Sequence, residues 1–106
     1  MSEPTREEVD ELLGPVLLEF GASWCPYCQE IQAALATALQ QHPHVRHIAI
    51  EDGKGRPLGR SFRVKLWPTL IFMQDGRVVH QAVRPSRSEM EQGFAALHET
   101  TVNPKP

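Results

Sequence analysis

The sequence predicts an α/β protein with a mixed central sheet of about four strands, flanked by helices on both faces. Three observations lead there. The run Pro15 to Phe20 is apolar except for Glu19, as a strand covered on both faces requires. An amphipathic helical pattern follows, and then a second apolar run, Val45 to Ile50. Strand, crossing helix and strand make a right-handed parallel unit in nearly all cases. Two later runs meet around Asp75-Gly76, a strong hairpin signal.

The remaining elements fit around this frame. Thr5 and Glu8 form a capping box ahead of Val9, Leu12 and Leu13, which predicts a short helix over 5–13 closed by Gly14 and Pro15. The second helix begins at Cys25 and carries Ile31, Ala34, Leu35, Ala38 and Leu39 on one side. His42, Pro43 and His44 end it. Residues 52–57 form a polar loop, and 58–62 a short irregular helix weakened by Gly59. Strands are expected at 69–73 and 77–83. Ser86 and Glu89 cap a last helix that turns Met90, Phe94 and Leu97 towards the sheet.

With 106 residues the chain suits one domain, 1–106, with its core at about 5–99 and a tail at 100–106. Hydrophobic residues at 41% and charged residues at 23% fit a soluble globular chain and argue against disorder. A net charge of -2 offers no global field for nucleic acid or an anionic membrane. No apolar stretch nears the roughly 20 residues that cross a bilayer, and Met1 to Asp10 has no signal-peptide pattern. The expectation is a cytoplasmic monomer.

Chemistry concentrates at Cys25-Pro26-Tyr27-Cys28, which holds the only two cysteines. Cysteines at i and i+3 in the first turn of a helix share one side and can close a disulfide. Pro26 suits the first helical position, so Cys25 becomes the N-cap, beside unpaired amides and the positive end of the helix dipole. That setting favours thiolate at Cys25, while Cys28, one turn in, should be more buried and less reactive. A thiolate attacks a disulfide, and the second thiol resolves the mixed disulfide. Zinc needs four ligands, no second CxxC exists, and no histidine shows ligand spacing. A structural disulfide would close too small a loop to stabilise much. A binding module that keeps an inert pair stays open.

These residues give the chain a resemblance to the thioredoxin superfamily from about Pro15 to Leu97. The carriers are Phe20 through Cys28, then Trp67-Pro68-Thr69 with Leu70, Ile71 and Phe72, then Asp75-Gly76 and the closing helix. The resemblance implies a thioredoxin-like fold and a thiol–disulfide oxidoreductase in which Cys25 is nucleophile, Cys28 resolving thiol and Pro68 a cis-proline facing them. It implies protein disulfide or dithiol substrates, a reductase or glutathione as electron donor, and no cofactor beyond the redox-active pair. Thioredoxins carry an acid at the place of Glu19 for proton transfer with the buried thiol. Burial would raise its pKa towards neutrality. A surface position or a cationic partner is the competing reading.

Trp24 and Trp67 are expected to form an apolar platform, with Trp24 alternatively half in the core. Pro26, Tyr27, Thr69, Val83 and Arg84 complete the candidate substrate surface. Pro26-Tyr27 matches glutaredoxins instead, which keeps a glutathione-dependent activity as the alternative. Val83-Arg84-Pro85 replaces a glycine-containing loop, so Arg84 could narrow or charge the groove. Lys54, Arg56, Arg60, Arg63 and Lys65 form a basic stretch without an acid among them. It reads as solvated surface, or as a lure for an acidic partner or the carboxylates of glutathione.

Overall fold

A computed structural model describes residues 3–98. The tail expected at 100–106 lies outside the described residues. Nine elements follow in order: α1 (Arg6–Asp10), β1 (Pro15–Gly21), α2 (Pro26–Glu30), α3 (Gln32–Gln41), β2 (Arg46–Glu51), α4 (Pro57–Ser61), β3 (Thr69–Gln74), β4 (Arg77–Val83) and α5 (Arg87–Ala95). The strands form one mixed sheet in the order β2-β1-β3-β4. β2 runs parallel to β1, while β3 is antiparallel to both β1 and β4. The fold class read from the sequence is the one observed.

Alternation along β1 sorts the core into two layers. Leu17 packs with Leu35, Leu70, Phe72, Met90 and Phe94 beneath α3 and α5. Val16, Leu18 and Phe20 pack with Val9, Leu58, Phe62 and Ile71 beneath α1 and α4. Both faces of β1 are therefore covered, as its apolar run requires. Glu19 falls on the α3 side by the same alternation, which carries a carboxylate towards the cysteines.

Both capping boxes form, at Thr5/Glu8 and at Ser86/Glu89. The hairpin also forms: Asp75 and Gly76 take φ of 52° and 83°, the left-handed pair that a tight right-twisted hairpin needs. The Asp75 carboxylate accepts the Gly14 amide at 2.7 Å, so this turn also anchors the entrance to β1.

Two details differ from the sequence reading. α1 stops at Asp10, and Leu13 is 81% exposed instead of packed. The helix expected to run unbroken from the cysteines is interrupted at Ile31. There the Gln32 side-chain amide donates to the Cys28 carbonyl at 2.9 Å. A side chain entering the helical ladder in this way is a known cause of bends.

Gly93 in α5 faces the Phe72 ring, and a Cβ there would overlap it. Phe72 is fully buried and cannot swing away. Gly93→Ala should therefore destabilise the fold by about 1–3 kcal/mol, an overpacking cost. Thermal unfolding should show it, at about 4–8 °C per kcal/mol for a chain of this size.

Candidate active site

Cys25 is the N-cap of α2 and Pro26 opens the helix. The Cys25 sulfur accepts the Cys28 amide at 3.3 Å and lies 4.0 Å from the Trp67 carbonyl oxygen. Both cysteines are free thiols. The hydrogen bond from the Cys28 side chain is the main influence that lowers the Cys25 pKa from 9.0. Burial opposes it, and the Cys28 and Tyr27 amides and the Arg84 charge add to it. Cys28 moves the other way, pushed up to about 11 by burial first, then by its bond to Cys25 and by the charges of Cys25 and Glu19.

Exposure does not separate the two thiols, at 4% for Cys25 and 6% for Cys28. Burial nonetheless weighs most on Cys28, where it is the foremost influence, in line with the expectation that this thiol is the more deeply set. Direction distinguishes them too: the amides of the first turn point at Cys25, while Cys28 faces Glu19 and the sheet.

Glu19 is buried, with its Oε1 2.7 Å from His47 Nε2 and its Oε2 2.8 Å from Gln32 Nε2. Burial is the largest single influence and raises its pKa. The His47 hydrogen bond, the Gln32 hydrogen bond and the His47 charge together outweigh it, leaving the carboxyl below its ordinary 4.5. The expected rise towards neutrality is thus corrected: Glu19 is a carboxylate at neutral pH. A cavity of about 280 Å³ is lined by Glu19, Cys28, Gln32, Gly21 and Ala49 among others.

The Trp67–Pro68 bond is cis, and Thr69 is buried behind it. Trp67 meets Trp24 edge-on at 5.6 Å, and its indole donates to Asp52 Oδ2 at 2.8 Å. Trp24 is 68% exposed, so it belongs to the surface and not, even by half, to the core. Tyr27 and Val83 are also exposed apolar side chains. Arg84 has a left-handed backbone, φ 48°. Its Nε donates to the Trp67 carbonyl at 2.8 Å and its guanidinium lies 3.9 Å above the Tyr27 ring. The candidate residues of the sequence reading therefore gather on one end of the sheet.

Three residues at the site were not singled out from the sequence. His47 pairs with Leu17 in parallel register, while Glu19 pairs with Ala49. His47 thus sits diagonally across from Glu19 on the same face, a relation legible once β1 and β2 are aligned. Gln32 is one turn after Cys28, the other neighbour in reach of Glu19. Asp52 rests against Gly59, where a Cβ would collide with its carboxylate. The glycine that weakened the α4 reading makes room for the residue that holds Trp67.

The two thiols should titrate apart. Alkylation followed by mass should place the Cys25 midpoint below that of a free cysteine. Glu19→Gln removes a negative charge near Cys28, so the Cys28 midpoint should move down from about 11. The same substitution has a stability signature. Because the folded-state pKa of Glu19 is depressed, its contribution is present above the unfolded pKa and lost as pH falls through the folded one. Urea unfolding should show wild type and Glu19→Gln converging in acid and separating at neutral pH.

Comparison with known proteins agrees with this arrangement. The family model described as Thioredoxin matches residues 3–96. The structure of thioredoxin 2 from Pseudomonas aeruginosa PAO1 in its reduced form is similar at a TM-score of 0.79 and 52% identity, over 89% of this chain and 88% of that one. Mitochondrial thioredoxin 3 from Saccharomyces cerevisiae shares the fold, with a TM-score of 0.76 at 21% identity over 84% of each chain. Thioredoxin H-type 1 of Nicotiana tabacum is 30% identical over 73% of this chain. Thioredoxin H5 of Arabidopsis thaliana is 26% identical over the same share. The matches span 61% and 65% of the lengths of those two plant proteins. By the family model and these similarities, the chain belongs to the thioredoxin family.

Proposed function

We propose that this chain is a thiol–disulfide oxidoreductase that reduces disulfides in other proteins through Cys25 and Cys28. The observation that carries the reading is the geometry of the pair: Cys25 caps α2 with its sulfur accepting the Cys28 amide at 3.3 Å, and Cys28 stands one turn further on. The opposite directions of the two thiol pKa values agree with it. Cys25 is set up as a thiolate, the attacking species, and Cys28 is held as a thiol until the mixed disulfide forms. Cys25 attacks one substrate sulfur and the other leaves as a thiol. Cys28 then gives up its proton and attacks Cys25, closing the internal disulfide and releasing the second substrate thiol. One disulfide and two thiols are consumed, and one disulfide and two thiols are produced.

Glu19 and Cys28 line one cavity, and this supports Glu19 as the acceptor of the Cys28 proton through water. Its lowered pKa makes it a weak base towards a thiol pushed up to about 11, so the role rests on the shared cavity and on the negative charge that Glu19 places near Cys28. Glu19→Ala should slow resolution of the mixed disulfide and change its pH profile; wild-type rate and profile would end this role.

Trp24, Tyr27, Trp67, Val83 and Arg84 form the surface on which a substrate chain would lie, next to the cis Pro68 and Thr69. The named relatives are thioredoxins, which favours a reductase regenerated by a partner enzyme over the glutathione-dependent alternative suggested by Pro26-Tyr27.

Two variants test the assignment on a protein disulfide. Cys25→Ser should lose turnover by about a thousandfold or more, the scale on which nucleophile knockouts act. Cys28→Ser should accumulate the mixed disulfide at Cys25, visible by mass, and release little product. Turnover of glutathione mixed disulfides by Cys28→Ser at the wild-type rate would instead favour the monothiol, glutathione-dependent route.

A further inference from the structure

Arg84 is a charged side chain fixed against the nucleophile's surroundings. Its Nε and the Cys25 sulfur address the same Trp67 carbonyl oxygen, at 2.8 Å and 4.0 Å. Stacking over the Tyr27 ring holds the guanidinium plane in place. Among the described residues its only hydrogen bonds run to the groove wall: the side-chain Nε to Trp67 and the backbone amide to the Pro68 carbonyl at 2.8 Å. The two Nη groups remain available, and a guanidinium edge presents paired N–H donors that match a carboxylate.

Arg63 and Lys65 precede the Trp67–Pro68 wall, are exposed, and make no ion pair among the described residues. The acids nearby do not compete for Arg84. Asp52 accepts the Trp67 indole, and Glu30 lines a separate depression with Pro26, Tyr27 and Gln29. A substrate strand entering between Tyr27, Trp67 and Val83 therefore meets apolar surface and a preset cation that no carboxylate among the described residues pairs with.

We infer that Arg84 forms a carboxylate subsite of the groove, so that the preferred substrates are protein segments with an aspartate or glutamate beside the disulfide cysteine. The inference rests on the proposed reductase activity and adds its substrate class. An exposed, prepositioned pair of this kind contributes modestly, so the selectivity should be about three- to fivefold and should shrink as salt is raised.

The test is a single turnover of pre-reduced protein with two synthetic disulfide peptides that differ only in Asp or Asn beside one cysteine. Each rate is divided by that of the same peptide with dithiothreitol, which removes the intrinsic effect of the charge on the disulfide. Wild type should prefer the Asp peptide, Arg84→Lys should keep part of the preference, and Arg84→Gln should lose it. The preference ratio is the readout, because losing the Arg84 charge also lowers the reactivity of Cys25. Equal normalised rates in wild type, or an undiminished preference in Arg84→Gln, would overturn the subsite and leave the reductase reading standing. Failure to reduce either peptide, while dithiothreitol reduces both, would overturn the reductase reading and the subsite together.

Discussion

The contact between the Cys28 amide and the Cys25 sulfur, 3.3 Å long, organises the whole site. It exists because a helix begins immediately after Cys25, and the helix begins there because Pro26 suits the first turn and needs no hydrogen-bond partner for its nitrogen. The amides left over at a helix start then find an acceptor in sulfur. Everything else at the site maintains that geometry. β1 delivers the chain to the helix through a covered strand, and the segment leading into β3, with the cis Trp67–Pro68 bond, brings the Trp67 carbonyl oxygen to 4.0 Å from the same sulfur.

The second constraint is the carboxylate beneath the pair. A buried acid is ordinarily pushed towards its neutral form, yet Glu19 is held ionised because each oxygen has a donor, His47 on one side and Gln32 on the other. Gln32 has two duties, since its amide also takes the Cys28 carbonyl. That second bond accompanies the break between α2 and α3. The interruption of the helix and the ionisation of Glu19 thus share one side chain. A negative charge on this side of Cys28 helps keep its thiol protonated, which adds to the asymmetry set by the Cys28–Cys25 hydrogen bond and the burial of Cys28.

Most of the frame was legible because it rests on local signals: two capping boxes, an Asp-Gly turn, an apolar strand and a proline at the first helical position. The features that were not legible depend on partners distant in sequence. The apolar spacing of Ile31, Leu35 and Leu39 continues smoothly across the helix break, and only the Gln32 contact marks it. Glu19 could be placed near the thiols from its position in β1, but its pKa direction depends on His47, which lies 28 residues later. Gly59 reads as a weak helix residue until Asp52 is placed against it. Trp24 shows the converse limit: its apolar character allowed a half-core position, whereas the structure leaves it mainly exposed beside Trp67.

Cys25 and Cys28 should form a reversible two-electron couple. A redox titration of the purified protein in glutathione buffers, with free thiols counted by alkylation and mass, tests it most directly. Both thiols should disappear together in one reversible transition, at a potential as reducing as the cytosolic glutathione pool, about -220 to -320 mV. Absence of a reversible Cys25–Cys28 bond at every poise would contradict it and leave a binding module on the same fold.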